Sequence, residues 1–308
     1  MSNTASAAPA PAPVPKLILG PSGSGKTSLL GSLSPACLGQ EKKSGVLQLR
    51  PDNPETASLF RQGRNLIEHG RAPFQGTETL TTYEFSLSRY NTGLNRLLKG
   101  QETDYKFIMP DAAGGFVFNS GMSESADTRT IARYRGELLD ILTKCDGLII
   151  CVDPNNDRGS GEFFVDLPHF LDEANVRRLN ISRVLVVLTK ADLYVVDQGR
   201  NAERHLKRLS PKAVGLEAMT RQTLAALQVY LPKTTKIGFC WSSIYGFLRT
   251  GEPNFDKTNQ GLLFHPNSAD GGIGKSEAIE NWRPYQVIEP FHYIATGEVM
   301  DGSIIEFA

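Results

Sequence analysis

Residues 20–27 read Gly20-Pro21-Ser22-Gly23-Ser24-Gly25-Lys26-Thr27, set between the apolar run Leu17-Ile18-Leu19 and the segment Ser28-Leu29-Leu30-Gly31-Ser32-Leu33. The order is strand, glycine-rich turn, helix, with the pattern GxxxxGK[ST] on the turn. Glycines let the backbone curl until successive N–H groups point at one anion. Lys26 adds a cation at the outer phosphates, and the Thr27 hydroxyl can ligate Mg²⁺. A Gly/Ser-rich solvent turn would have this composition without the strand before it and the helix after it. Gly20, Ser22, Gly23, Ser24, Gly25, Lys26, Thr27 and Ser28 are therefore the expected nucleoside-phosphate site.

Composition narrows the classes. The chain has 308 residues, with Lys+Arg and Asp+Glu both at 33 and no net charge. That balance gives no electrostatic footprint for nucleic acid. No apolar stretch approaches the ~20 residues that span a bilayer, and residues 1–15 lack the charged start and apolar core of a secretory signal. Cys37, Cys145, Cys151 and Cys240 show no metal-type spacing. A soluble, cytoplasmic chain is expected. Residues 1–15 are rich in Ala and Pro and read as an extended tail.

Beyond the first helix, residues 45–50 read as a short strand. Residues 54–69 read as a helix with Pro54 at its start and Gly70 past its end. Residues 81–88 alternate as a half-exposed strand does, and 91–100 suit a hairpin connection. The next strand, residues 105–109, runs into Asp111-Ala112-Ala113-Gly114. An Asp at a strand's carboxyl end beside a phosphate loop can hold Mg²⁺ through water, and the Gly three residues on can offer its N–H to a γ-phosphate. Residues 114–125 read as a mobile loop and 126–144 as a helix.

Two further buried strands follow, at 147–153 and 183–188, apolar on consecutive positions as central parallel strands are. Between them, residues 154–161 read as a loop and 163–179 as a helical region interrupted at Pro168. The second strand ends in Thr189-Lys190-Ala191-Asp192. Asp192 can accept from both N1–H and the 2-amino group of guanine, a donor pair that adenine lacks. The Lys190 stem can lie over the purine face, and the Thr189 hydroxyl can tie the base loop to the phosphate loop. Lys and Asp would equally solvate an ordinary strand-to-helix turn, but here they stand third in order behind two cognate motifs. Residues 200–231 read as helical in two parts around Pro211. A last strand, 236–241, leads to Ser242-Ser243, where the turn can donate a backbone N–H to the guanine O6 or act as ordinary loop. Residues 251–281 are rich in Gly, Asn, Asp and Pro, and Trp282-Arg283-Pro284-Tyr285 precedes an expected terminal helix.

In this order, each at a strand end, the motifs resemble those of the P-loop GTPases of the Ras-like, translation-factor-related class, over residues 16–248. More narrowly, the chain is similar to the bacterial double-GTPase group. That likeness rests on the long insert before the first switch, the approach Gly70…Pro73…Gly76-Thr77, and the Trp-Arg-Pro plus terminal helix.

The resemblance implies a three-layer α-β-α P-loop fold, with a mostly parallel central sheet and one antiparallel strand. It places a GTPase domain at 16–250 with an insert at 40–72, and a C-terminal extension at 251–308. It also implies a GTP-hydrolysing molecular switch that uses GTP/GDP and Mg²⁺. Its partner would be a GTPase-activating or effector protein, another GTPase among the options.

By the same resemblance, Lys26, Thr77 and Gly114 serve catalysis, and Thr27, Thr77 and Asp111 serve the metal. Thr189, Lys190, Asp192, Ser242 and Ser243 serve the base. Thr79 is the alternative to Thr77 as switch threonine. Thr27 and Asp111 lie 84 positions apart, about twice the Ras-like spacing.

Where regulatory GTPases commonly carry a water-orienting Gln, this chain has Gly115, with Glu124 and Asp127 nearby. Slow intrinsic hydrolysis, stimulated by a partner, follows as the expectation. A nucleotide-binding scaffold that scarcely hydrolyses is the other reading.

Overall fold

The computed structural model describes residues 13–40, 47–69, 81–90, 102–111, 128–218, 221–255, 282–300 and 302–308. Among the described residues, eight strands form one sheet in the order β2-β3-β4-β1-β5-β6-β7-β8. Its centre is β1 (Lys16–Leu19), β5 (Gly147–Val152), β6 (Arg183–Leu188) and β7 (Lys236–Trp241), all parallel, with β4 (Glu102–Asp111) parallel to β1 on the other side. β3 (Thr81–Tyr90) runs antiparallel to β4 in a ten-residue register from Thr81 opposite Asp111 to Tyr90 opposite Glu102. β2 (Leu47–Pro51) pairs antiparallel with β3 at one edge. The fold is the expected three-layer α-β-α one.

The central strands alternate between two cores, as a sheet covered on both faces requires. Leu17, Leu148, Ile150, Val184, Val186 and Phe239 face one cluster, and Ile18, Ile149, Cys151, Leu185, Val187 and Cys240 the other. The first cluster is closed by α3 (Thr128–Lys144), α4 (Asp157–Glu173) and α8 (Arg221–Tyr230). The second is closed by α1 (Lys26–Gln40), α2 (Pro54–His69) and α9 (Glu289–Thr296). Short segments complete the first face: α5 (Ala191–Tyr194), a 3₁₀ turn at Val196–Asn201, α6 (Ala202–Leu206) and α7 (Pro211–Ala218). All four cysteines are buried free thiols.

Several element boundaries differ from the sequence reading, each for a physical reason. α4 begins at Asp157, inside the stretch read as a loop, and runs straight through Pro168 to Glu173. Leu167, Phe170 and Leu171 pack into the core around that proline, and tertiary packing outweighs the missing N–H. Pro211 opens a helix rather than dividing one: the Ser210 hydroxyl accepts the Ala213 N–H as a cap. The sheet does not end at β7. A two-residue strand β8 (Glu306–Phe307) pairs antiparallel with it and adds a second antiparallel strand beside β3.

β2 and α2 build one edge of the sheet and a helix beside it. Asn53 caps α2 through the Thr56 N–H and also donates to the Thr82 carbonyl, and the Thr56 hydroxyl accepts the Glu84 N–H. α2 lies against α1 with Gly63 over Gly31, where a Cβ on Gly63 would meet the Gly31 carbonyl oxygen at 1.8 Å. On the same face, Phe291 of α9 stands edge-on to the stacked pair Phe85–Phe107 and fixes that helix on β3 and β4.

Candidate functional site

The carboxyl ends of β1, β4, β6 and β7 bring the expected residues to one end of the sheet. Gly20 (φ +154°) begins the turn after β1, and a Cβ there would stand 2.4 Å from the Cys151 carbonyl oxygen. Gly23 and Gly25 take φ values of +73° and +80°, the left-handed region open to glycine. Neither of their N–H groups donates a hydrogen bond among the described residues. Ser22 and Gly23 face solvent and Ser24 is buried.

Lys26 is 7% exposed. Its Nζ donates to the Gly20 and Pro21 carbonyls, both at 2.9 Å, and lies 3.8 Å from Asp111 Oδ1. Burial lowers its pKa, and the Asp111 carboxylate opposes that shift. Thr27 Oγ1 donates to Asp111 Oδ2 at 2.5 Å. Two residues that are 84 positions apart thus put a hydroxyl and a carboxylate in contact beside a cation. Those are hard oxygen donors of the kind Mg²⁺ takes. Thr77, Thr79, Gly114, Gly115, Glu124 and Asp127 lie outside the described residues.

The other side of the site is assembled from β6, β7 and the turns that follow. Lys190 takes φ 53°, and its Nζ bonds the Gly23 carbonyl at 2.8 Å and Asp153 Oδ2 at 2.7 Å. Its stem is thereby laid between the turn after β6 and the glycine-rich turn after β1. Thr189 Oγ1 donates to the Ser24 carbonyl, the tie that the sequence led one to expect. Asp192 is 1% exposed. Ser243 Oγ donates to its Oδ1 at 2.5 Å, and its buried Oδ2 has no partner. Burial pushes this carboxyl up to about 6, against the pull of Ser243, two backbone N–H groups and Lys190.

A cavity of about 190 Å³ joins the two halves. Gly25, Ser28 and Leu29 line it from the phosphate side, and Thr189, Lys190 and Asp192 from the other. Ser242, Ile244 and Tyr245 close it. Ser242 Oγ is a second buried oxygen there without a partner.

The role expected of the Ser-Ser turn needs correction. The Ser242 N–H already donates to Leu188 and the Ser243 N–H to Tyr285, so neither is free for a ligand. Ser243 instead holds Asp192, and it is Ile244 whose N–H makes no hydrogen bond among the described residues. Ile244, Tyr245 and Asp153 were missed by the sequence reading. Asp153 alone had a signal, as an acid closing an apolar strand beside the site.

The turn after β7 is held from the C-terminal side. Ser243 and Tyr285 exchange N–H···O bonds at 2.9 Å in both directions, and Trp282 Nε1 donates to the Ile244 carbonyl at 2.8 Å. Gln286 Nε2 donates to the Trp241 carbonyl, and Gly246 (φ +68°) is pressed against the backbone of Arg283.

No family model and no curated protein matches the chain. Solved structures give remote likenesses. One is the signal recognition particle receptor SRb-GTP/SRX complex of Chaetomium thermophilum: 14% identity, TM-score 0.32, covering 75% of this chain and 94% of that one. Another is the GTP-bound Ski7 GTPase-like domain of S. cerevisiae: 17% identity, TM-score 0.35, 88% of this chain and 50% of that one. A third is an ADP-ribosylation-factor-like GTP-binding protein, the small COPII coat GTPase SAR1 of Encephalitozoon cuniculi, with GDP: 14% identity, TM-score 0.25, 87% and 77%. Likenesses this remote leave function to be argued from the site. Among the described residues, no helix is long and apolar enough to cross a membrane.

Proposed function

We propose that the chain is a guanine-nucleotide-binding GTPase that acts as a molecular switch. The observation that carries this is Asp192. A carboxylate oxygen, buried and unpartnered, lines a cavity whose opposite wall is the phosphate loop. Leaving such an oxygen unpaired is costly, and a base edge bearing two adjacent N–H donors relieves that cost. Guanine has that edge and adenine does not. Ile244 then supplies the N–H for the O6 beside it.

Thr27 and Asp111 would hold Mg²⁺, which would supply neutralisation of the phosphate charge. Lys26 would leave the loop carbonyls and take the outer phosphates, and Thr77 and Gly114 would sense the γ-phosphate. Gly115 offers no side chain to orient water, so intrinsic turnover is slow and a partner completes the reaction. The insert β2–α2 and the Trp282 clasp support the narrower likeness to the bacterial double-GTPase group. A GTPase or activator partner and a cytoplasmic setting go with it.

Competition binding of GDP, GTP and ATP tests the base assignment, and comparable ATP affinity refutes it. Single-turnover GTP hydrolysis, with and without cell lysate, separates switch from scaffold. No turnover in either sample would favour the scaffold.

A further inference from the structure

We infer that Ser242 is a second base-reading side chain, its hydroxyl donating to N7 of the bound purine; the inference rests on the guanine reading above. Ser242 is 1% exposed, its Oγ has no partner, and it lines the same cavity as Asp192. Its neighbours are already committed. The Thr189 hydroxyl lies within hydrogen-bond distance of the Ser24 and Val152 carbonyls, and the Ser243 hydroxyl is given to Asp192. A hydroxyl has one proton to give. On the base-facing wall this leaves Asp192 Oδ2 as an unpartnered acceptor, and the Ile244 N–H and the Ser242 O–H as donors without a partner among the described residues. Guanine's outer edges carry the complement, two adjacent N–H donors followed by the acceptors O6 and N7.

Placement decides which donor meets which acceptor. Trp241 is in register with Leu188, and the Ser242 N–H continues the ladder to the Leu188 carbonyl. Ser242 thus emerges beside Thr189, whose hydroxyl is tied to Ser24 of the phosphate loop. Ile244 follows Ser243, which is bonded to Asp192. The five-membered ring of a purine carries the sugar and so faces the phosphate side. Ser242 then meets N7, and Ile244 meets O6 next to the edge that Asp192 reads. Adenine has the same N7. Ser242 therefore adds purine affinity and leaves the choice between purines to Asp192.

The test compares GDP with 7-deaza-GDP, in which N7 is a C–H, on the full chain and its Ser242→Ala variant. The wild type should bind GDP roughly 3- to 10-fold more tightly than 7-deaza-GDP, the range of one neutral hydrogen bond. Ser242→Ala should bind both alike, near the wild-type affinity for 7-deaza-GDP, which also shows that the variant is folded. A preference that survives in Ser242→Ala, or no preference in the wild type, overturns the inference. Ser242→Cys keeps a side chain close in size but with only a weak donor. It should lose most of the preference, and it serves if the alanine variant does not fold. Failure of the guanine reading would show separately, as wild-type ADP affinity equal to GDP affinity.

Discussion

Thr189 Oγ1 lies 2.6 Å from the Ser24 carbonyl oxygen and 3.0 Å from that of Val152, which joins the end of β6, the end of β5 and the phosphate loop in one hydrogen-bonded unit. Thr189→Val removes the donor at nearly constant shape and leaves the Ser24 carbonyl short of a partner, while the Val152 carbonyl keeps the Thr189 N–H. The expected cost is about 1–3 kcal/mol of stability. Chemical denaturation should read it as a lower midpoint with unchanged slope. Affinity for GDP should fall as well, because the two halves of the cavity are no longer held in register.

Asp192→Asn replaces the unpartnered acceptor oxygen with a donor nitrogen in one rotamer and a weaker acceptor in the other. Charge-assisted bonds to two N–H groups are lost, so guanine nucleotides should bind roughly 10²- to 10⁴-fold more weakly. Xanthine nucleotides, with an oxygen in place of the 2-amino group, should gain. Competition binding with GDP and XDP gives the answer; unchanged selectivity would remove Asp192 from the base site.

Burial lifts the Asp192 carboxyl to about 6. In the ligand-free chain the cost of ionising it is fully present above that value. It is relieved as pH falls and is gone below the unfolded carboxyl's ~3.9. This one group therefore favours the ligand-free fold as pH drops from about 7 toward 5. Binding has the opposite sign, because the base needs an ionised acceptor. GDP affinity should be flat above about pH 7 and should weaken as pH falls through 6, approaching tenfold per unit below it. Calorimetric titrations across that range measure the slope, and Asp192→Asn should flatten it.

Gly63 and Gly136 make a paired test of the packing of α2 on α1. A Cβ on Gly63 would collide with the Gly31 carbonyl, whereas one on Gly136, on the exposed side of α3, meets nothing within 4 Å. Gly63→Ala should force α2 away from α1 and cost at least ~1–3 kcal/mol. Gly136→Ala should stabilise by about 0.5–1 kcal/mol through helix propensity. Thermal melts of both variants should move in opposite directions.

Trp282→Phe keeps an aromatic ring but removes the N–H that holds the Ile244 carbonyl. Ile244 then loses the restraint that aims its own N–H. GDP should dissociate roughly 3- to 10-fold faster, with little change in association, as stopped-flow displacement of a fluorescent GDP would show. An unchanged off-rate would mean that the base loop holds its shape unaided.

The sequence was most legible where local and global signals agree. The run Leu17-Ile18-Leu19 before the glycine turn, the continuous apolar stretches of β5 and β6, and the Pro54–His69 helix with its proline start and glycine stop all read correctly from local sequence. Legibility failed where long-range pairing decides. β8 is two residues whose strand character comes entirely from lying beside β7. α4 passes Pro168 because its core contacts outweigh one missing N–H. The N–H groups of Ser242 and Ser243 looked available only because nothing in the sequence shows that Leu188 and Tyr285 take them. Ile244 and Tyr245 sit in a turn without periodicity, so no spacing argument reaches them.

The clasp of residues 282–286 on residues 241–247 is a fastening made over distance. The carbonyls of Trp241 and Ile244 and both main-chain groups of Ser243 take partners from Gln286, Trp282 and Tyr285, 38 to 45 positions further along the chain. A chain shortened to end before Trp282 would still carry the glycine-rich turn after β1 but none of these partners, so one wall of the cavity would lose its fastening while the other kept its own.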